Sequence, residues 1–132
     1  MITEEYKLMC INNPDLQGLW EPEYGHRMII GNHIRFVSIS YISKVGINKT
    51  HDFWLPYQED LQKLFELDDR INQRIDIRIG VYSPKFTAYC NLDEYIKLIA
   101  EGNDLNEVWL NMVMRYQFNK KWDFGAKGWI ES

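Results

Sequence analysis

The sequence predicts a single α+β domain, a small and mainly antiparallel sheet packed with three main helices. Three observations carry this. Turn-punctuated runs rich in aromatic and β-branched residues fill the first half, and stretches with helical spacing of apolar residues follow. The strands and helices do not alternate regularly, as they would in a parallel sheet. The chain is 132 residues long, 45% hydrophobic and 26% charged, which is one domain with enough apolar residues to bury a core unaided.

Residues 3–11 read as a short helix, with Thr3 as N-cap and Glu4 and Glu5 where the helix dipole favours negative charge. Pro14 stops it, because the residue before a proline avoids the helical region, and 15–20 read as one more helical turn. The region 20–55 is β-rich. After a turn over 20–25, Arg27 to Ile30 is a short strand, Gly31-Asn32 a two-residue hairpin turn, and 33–43 the partner strand. Ile34 and Phe36 share one phase of that partner, Val37, Ile39 and Tyr41 the other. A bulge near Phe36-Val37, or cover on both faces, reconciles them. A polar loop over 46–52 leads to Phe53-Trp54-Leu55, a strand stopped by Pro56.

A helix over 57–67 carries Leu61, Leu64 and Phe65 on one stripe, and Glu59, Lys63 and Glu66 face away. Ile71, Ile75, Ile77, Ile79 and Val81 alternate with polar residues and give a strand over 71–82, ended by Ser83-Pro84. Residues 85–90 form another short strand. Tyr95, Ile96, Leu98 and Ile99 predict a helix over 92–101 with Gly102 as its stop signal. Asp104 caps a last helix over 104–118, in which Leu105, Trp109, Met112 and Tyr116 recur at helical spacing. The aromatic tail folds into a hairpin, with Trp122-Asp123-Phe124 and Gly128-Trp129-Ile130 on either side of a glycine turn.

Composition excludes several classes. No apolar run reaches the roughly 18 residues of a membrane span. The acidic opening Met1-Ile2-Thr3-Glu4-Glu5 is unlike the basic start of a signal peptide. Cys10 and Cys90 are too few for a disulfide framework and read as reduced thiols, so the expected location is cytoplasmic. A net charge of −4 argues against a general nucleic-acid binder and is too small for an acidic mimic of DNA.

No nucleophile elbow, paired-histidine zinc motif or phosphate-binding glycine loop is present. No catalytic residue, metal ligand or cofactor is therefore assigned. His26, His33 and His51 read as partly exposed residues beside turns. The carboxylate pairs Glu59-Asp60 and Asp93-Glu94 lie in first helical turns, where the dipole accounts for them. Glu21 and Glu23 differ, since they flank Pro22 in a turn beside Trp20, Tyr24, His26 and Arg27. A polar, aromatic, loop-borne cluster is where contact residues collect. Arg115, Lys120, Lys121 and Lys127 alternate with aromatic residues in the tail, a pattern that can hold a single strand. The plainer reading makes those aromatics the anchor that pins the tail to the core.

Asn13-Pro14-Asp15-Leu16-Gln17 resembles an N-P-x-x-Q stretch, and Trp20-Glu21-Pro22-Glu23-Tyr24-Gly25-His26 a W-x-P-x-x-G-D segment. Trp54-Leu55-Pro56-Tyr57-Gln58-Glu59-Asp60-Leu61-Gln62 is similar to W-L-P-R-Q-D-Q-L-Q. Trp109-Leu110, Val113-Met114 and Tyr116, followed by Asn119-Lys120-Lys121-Trp122 and Trp129, resemble a C-terminal W-L-x-F-V-M-x-x-x-Y-N-K-x-W…W pattern. Together these resemble small accessory proteins carried by bacteriophages and prophages of Gram-positive bacteria, a group with no established activity. His26 and Tyr57 stand where the patterns carry Asp and Arg.

The resemblance implies a non-enzymatic accessory protein that antagonises a host defence or regulatory system by occupying a partner, either a host protein or a nucleotide signal. The surplus of five Trp and eight Tyr points the same way, since both are enriched at binding hot spots. The expected contact residues are Trp20, Tyr24, His26, Arg27, Trp54 and Tyr57. Competing expectations are a small metal-dependent nuclease or nucleotide hydrolase, and a nucleic-acid module using the basic aromatic tail. Sheet edges left to cover predict a homo-oligomer.

Overall fold

The computed structural model describes residues 2–38, 52–66, 74–91 and 97–132. It is an α+β domain, with elements in the order α1 (Glu4–Ile11), α2 (Pro14–Gly18), β1 (Arg27–Ile30), β2 (His33–Phe36), β3 (Asp52–Trp54), α3 (Gln58–Glu66), β4 (Arg74–Ile79), β5 (Phe86–Asn91), β6 (Lys97–Gly102), α4 (Leu105–Phe118), β7 (Lys120–Asp123) and β8 (Gly128–Glu131). The strands form two three-stranded antiparallel sheets, β2-β1-β3 and β4-β5-β6, and the hairpin β7-β8.

The helix ends follow from their caps. Thr3 accepts from the Tyr6 N–H at the start of α1, and Asn13 does the same for Leu16 at the start of α2, with Pro14 in the first turn. Asp104 accepts from the Glu107 N–H to open α4, which closes on Asn119 in the left-handed region at φ 55°. α4 is the centre of the core. It packs against α1, α3, β5, β6 and β7. Val108, Leu110, Met112, Val113 and Met114 along it are buried, and Phe65 of α3 meets Trp109 and Tyr116 edge-on.

The described part of one predicted helix is a strand. Residues 97–101, expected in a helix over 92–101, form β6 and pair with β5 from Asn91↔Lys97 to Phe86↔Gly102. Leu98 and Ala100 turn inward with Cys90 and Ala88 opposite, while Ile99 is on the other face, 39% exposed. A short apolar run fits both periods, and pairing with β5 decides between them. Gly102 is thus the end of a strand. A Cβ there would lie 2.7 Å from the Glu107 Cβ and the Val108 nitrogen, so glycine is what lets β6 meet the first turn of α4.

Two strands are shorter than predicted. β4 ends at Ile79, where the Gly80 N–H closes the hairpin on the Lys85 carbonyl, and Val81 beyond it is exposed. β2 ends at Phe36. The expected continuation over 39–43, the loop over 46–51, and residues 67–73 and 92–96 lie outside the described residues. The bulge expected at Phe36-Val37 lies instead on the facing segment, where Gly25 and His26 oppose Val37. The aromatic tail is a hairpin as expected, and its anchor reading holds. Trp122 is buried, meets Trp129 edge-on at 5.2 Å, and donates to the Glu5 carboxylate, while the Trp129 indole donates to the Met9 carbonyl.

Candidate functional site

The turn between α2 and β1 is built around one glycine. The His26 N–H donates to the Glu23 carbonyl at 3.1 Å, and Gly25 at φ 84° occupies the third position, as in a type II turn. The Gly25 N–H then donates to the Val37 carbonyl, and the Val37 N–H donates to the His26 carbonyl, both at 2.8 Å. Gly25 and His26 therefore oppose the single residue Val37. This bulge re-aims His26 toward the interior.

There His26 meets both predicted tryptophans. Its Nδ1 accepts from the Trp20 indole at 3.2 Å and from the Glu23 N–H at 3.3 Å. Its ring stacks on Trp54 with centroids 5.6 Å apart, and Trp54 lies parallel to Trp20 at 6.4 Å, with 4° between the planes. Trp20 is 1% exposed and Trp54 4%.

Arg27 performs a second closure. Its guanidinium donates to the carbonyls of Leu55 and Pro56 at 2.9 and 2.8 Å, and lies 4.3 Å from the centre of the Tyr57 ring. The Pro56 carbonyl also accepts from the Tyr6 hydroxyl at 2.6 Å. The structure thus brings five of the six predicted contact residues into one cluster that ties the turn and β1 to β3 and the start of α3. Tyr24 stands apart from it, 73% exposed at the tip of the turn.

Residues not singled out as contacts complete the cluster. The buried Gln17 side chain accepts from the Trp54 N–H at 2.6 Å and donates to the carbonyls of Trp54 and Cys10 at 3.0 Å, which satisfies the Trp54 backbone as a neighbouring strand would. The Asn-Pro-x-x-Gln stretch and the two tryptophan motifs are therefore parts of one folded unit. Asn13 caps, Gln17 clamps, and the Leu55 and Pro56 carbonyls receive Arg27.

Several other titratable groups of the described residues have structural partners or lie buried. Among the described residues no group of three or more His, Cys, Asp or Glu converges as a metal cluster would. His33 is exposed and His51 lies outside the described residues. Asp60 accepts from the Tyr57 N–H at 2.9 Å and so caps α3. Cys10 and Cys90 are buried free thiols, and burial pushes both toward the protonated form. Glu107 is fully buried, and burial raises its pKa against the hydrogen bonds it accepts from the Thr3 hydroxyl and the Asn103 N–H. The x-x-Glu spacing after Asp104 was the signal for this residue.

In the tail, Lys120 pairs with Asp15 and Lys127 with Glu5, and Arg115 donates to the Ile99 carbonyl. Those cations are engaged within the molecule. No described helix is long and apolar enough to cross a membrane. Compared with known proteins, the chain matches no protein-family model, no curated protein and no solved structure.

Proposed function

We propose that the protein acts by binding a host protein through the surface of the Glu23–His26 turn, with Tyr24 as its anchor. The observation that carries this is the exposure of Tyr24, 73%, on a turn whose base is fixed by the Trp20–His26–Trp54 cluster. A rigidly mounted tyrosine offers contact area at small entropic cost. Phe36, 64% exposed, opposes Arg27 and directly precedes Val37, whose carbonyl accepts from the Gly25 N–H, and is a second exposed aromatic next to the turn in the hairpin. Trp20 and Trp54 support this contact from beneath. An open aromatic surface suits a protein better than a nucleotide, whose sites are concave.

The finer reading rests on the resemblance of the motifs. On it the protein is a phage accessory product that works in the bacterial cytoplasm and occupies a component of a host defence or regulatory system, without turnover of a substrate. The test is quantitative capture from a Gram-positive lysate with the native chain, Tyr24→Ala and Lys121→Ala. A host protein retained by the native chain and by Lys121→Ala, and lost with Tyr24→Ala, is the expected result. Equal retention by all three baits overturns the assignment of Tyr24. A large thermal stabilisation by a nucleotide would replace the host protein with a small-molecule ligand.

A further inference from the structure

We propose that two copies of the chain pair through β4, antiparallel and centred on Ile77, to join their β4-β5-β6 sheets into one. Among the described residues β4 has a single strand neighbour, β5, and its other edge is open. An open edge of six residues is a template for another strand.

The backbone fixes which groups that edge offers. The Gly80 N–H bonds to the Lys85 carbonyl, so Gly80 points its polar groups at the β5 side. By the two-residue period Arg78 and Asp76 do the same, and the N–H and C=O groups of Ile75, Ile77 and Ile79 face the open edge. Residues directly opposite each other in an antiparallel pair must both face the seam or both face away. A symmetric pairing is therefore centred on one residue, and charge selects which.

Centring on Asp76 sets Asp76 against its own copy, and centring on Arg78 sets Arg78 against its own copy. Centring on Ile77 sets Asp76 of each chain opposite Arg78 of the other. It also sets Ile75 opposite Ile79 and Ile77 opposite Ile77, each pair exchanging backbone hydrogen bonds through the groups that are open. Centring on Ile75 would also oppose unlike charges, Arg74 and Asp76, but it leaves Ile79 outside the seam; of the registers that keep Ile75, Ile77 and Ile79 all in the seam, charge complementarity and backbone phase agree on the one centred on Ile77.

Burial supports a second copy as the occupant. α4 covers β6 and β5 on the inner face. Ile75 and Ile77 at the margin of that face are half-buried, and Ile79 is 75% exposed. In the paired arrangement the three isoleucines of each chain form one apolar stripe. On the opposite face Asp76 and Arg78 are both exposed and meet at 3.5 Å, and the Arg78 guanidinium lies 4.8 Å from the centre of the Tyr89 ring, so pairing with the other chain exchanges one exposed charge contact for another beside that ring.

The test is a charge exchange read by analytical ultracentrifugation of the full chain, up to about 100 μM because a single-strand interface is small. The native chain is expected to sediment as a dimer in equilibrium with monomer. Asp76→Arg alone and Arg78→Asp alone each oppose like charges and are expected to weaken dimerisation about tenfold or more. The double variant Asp76→Arg with Arg78→Asp restores opposite charges and is expected to recover the native affinity. Both side chains are exposed, so circular dichroism should be unchanged throughout. A native chain that stays monomeric, or a dimer indifferent to the single changes or not rescued by the double one, overturns the proposal.

Discussion

The indole of Trp20 donates to Nδ1 of His26 across 3.2 Å, and the Glu23 N–H donates to the same nitrogen. With two donors aimed at it, Nδ1 of the neutral ring carries no proton, and the ring hydrogen is on Nε2, which lies 3.8 Å from the Glu23 carboxylate. Nitrogen chemical shifts of His26 should report this tautomer. His26→Leu keeps the bulk and removes the acceptor, at a cost of about 1–3 kcal/mol in urea unfolding. His26→Asn, which restores an acceptor oxygen, should recover part of that loss. Equal destabilisation by both variants would show that the ring's stacking on Trp54 matters and the bond does not.

Glycines in three environments give a graded prediction. Gly102→Ala forces a Cβ to within 2.7 Å of α4 backbone and should cost the most, about 3 kcal/mol, the upper end of overpacking. Gly25→Ala meets no atom within 4 Å but must hold φ at +84°, which costs about 1–2 kcal/mol. Gly128→Ala has neither problem and should fall within about 0.5 kcal/mol of the native chain. Chemical denaturation of the three variants checks the order. A Gly102→Ala as stable as Gly128→Ala would mean that β6 does not abut α4 as described.

The legible parts of the fold were those with local chemistry. α1, α3, α4 and β1 carry their own caps, turns or periodicity and stand within a few residues of the sequence reading, and β2 starts at His33 as the Gly31-Asn32 turn requires. β6 was illegible because Leu98, Ile99 and Ala100 satisfy a helix and a strand equally, and the deciding partner, β5, is remote information. The candidate site is legible as a place but not in its burial. Trp20, His26, Arg27, Trp54 and Tyr57 do converge, but sequence spacing says nothing of burial, and Trp20 and Trp54 are buried beneath the turn. Gln17 is legible as part of the Asn-Pro-x-x-Gln stretch but its role is not, because what it satisfies is the backbone of a strand 37 residues away.

Glu107 makes stability depend on pH. Burial is the largest cause of its raised pKa, ahead of the lowering effect of the bonds from Thr3 and Asn103. A carboxyl with a raised folded pKa binds its proton more tightly folded than unfolded. Its contribution is therefore full below the unfolded value of about 4.3 and is lost as pH rises through the folded value. Glu107→Gln removes the titration, keeps an acceptor for Asn103 and offers a donor to Thr3. The native chain should lose stability relative to Glu107→Gln as pH rises through that window, and the difference should level off above it. Urea unfolding of both proteins between about pH 4 and 7 reads this, with other groups cancelling. A difference that is flat or grows in favour of the native chain would contradict the burial of this carboxyl.

The tail hairpin should contribute to stability through its two indoles and little through its lysines. Trp122 is 3% exposed and fills the junction between α4 and α1, so Trp122→Ala should cost about 3–5 kcal/mol. Trp129→Phe keeps an aromatic ring against Trp122 and loses the bond to the Met9 carbonyl, for about 1 kcal/mol. Lys127→Ala removes an ion pair whose lysine is half-exposed, worth no more than about 1 kcal/mol and less at high salt. Lys121→Ala, on the exposed side of β7, should be neutral within about 0.5 kcal/mol. Thermal and urea unfolding of the four variants separates an anchor from a binding surface. If the tail were held by charge, the lysine changes would outweigh Trp122→Ala and the hairpin would loosen with salt; the burial of Trp122 between α4 and α1 requires the opposite order.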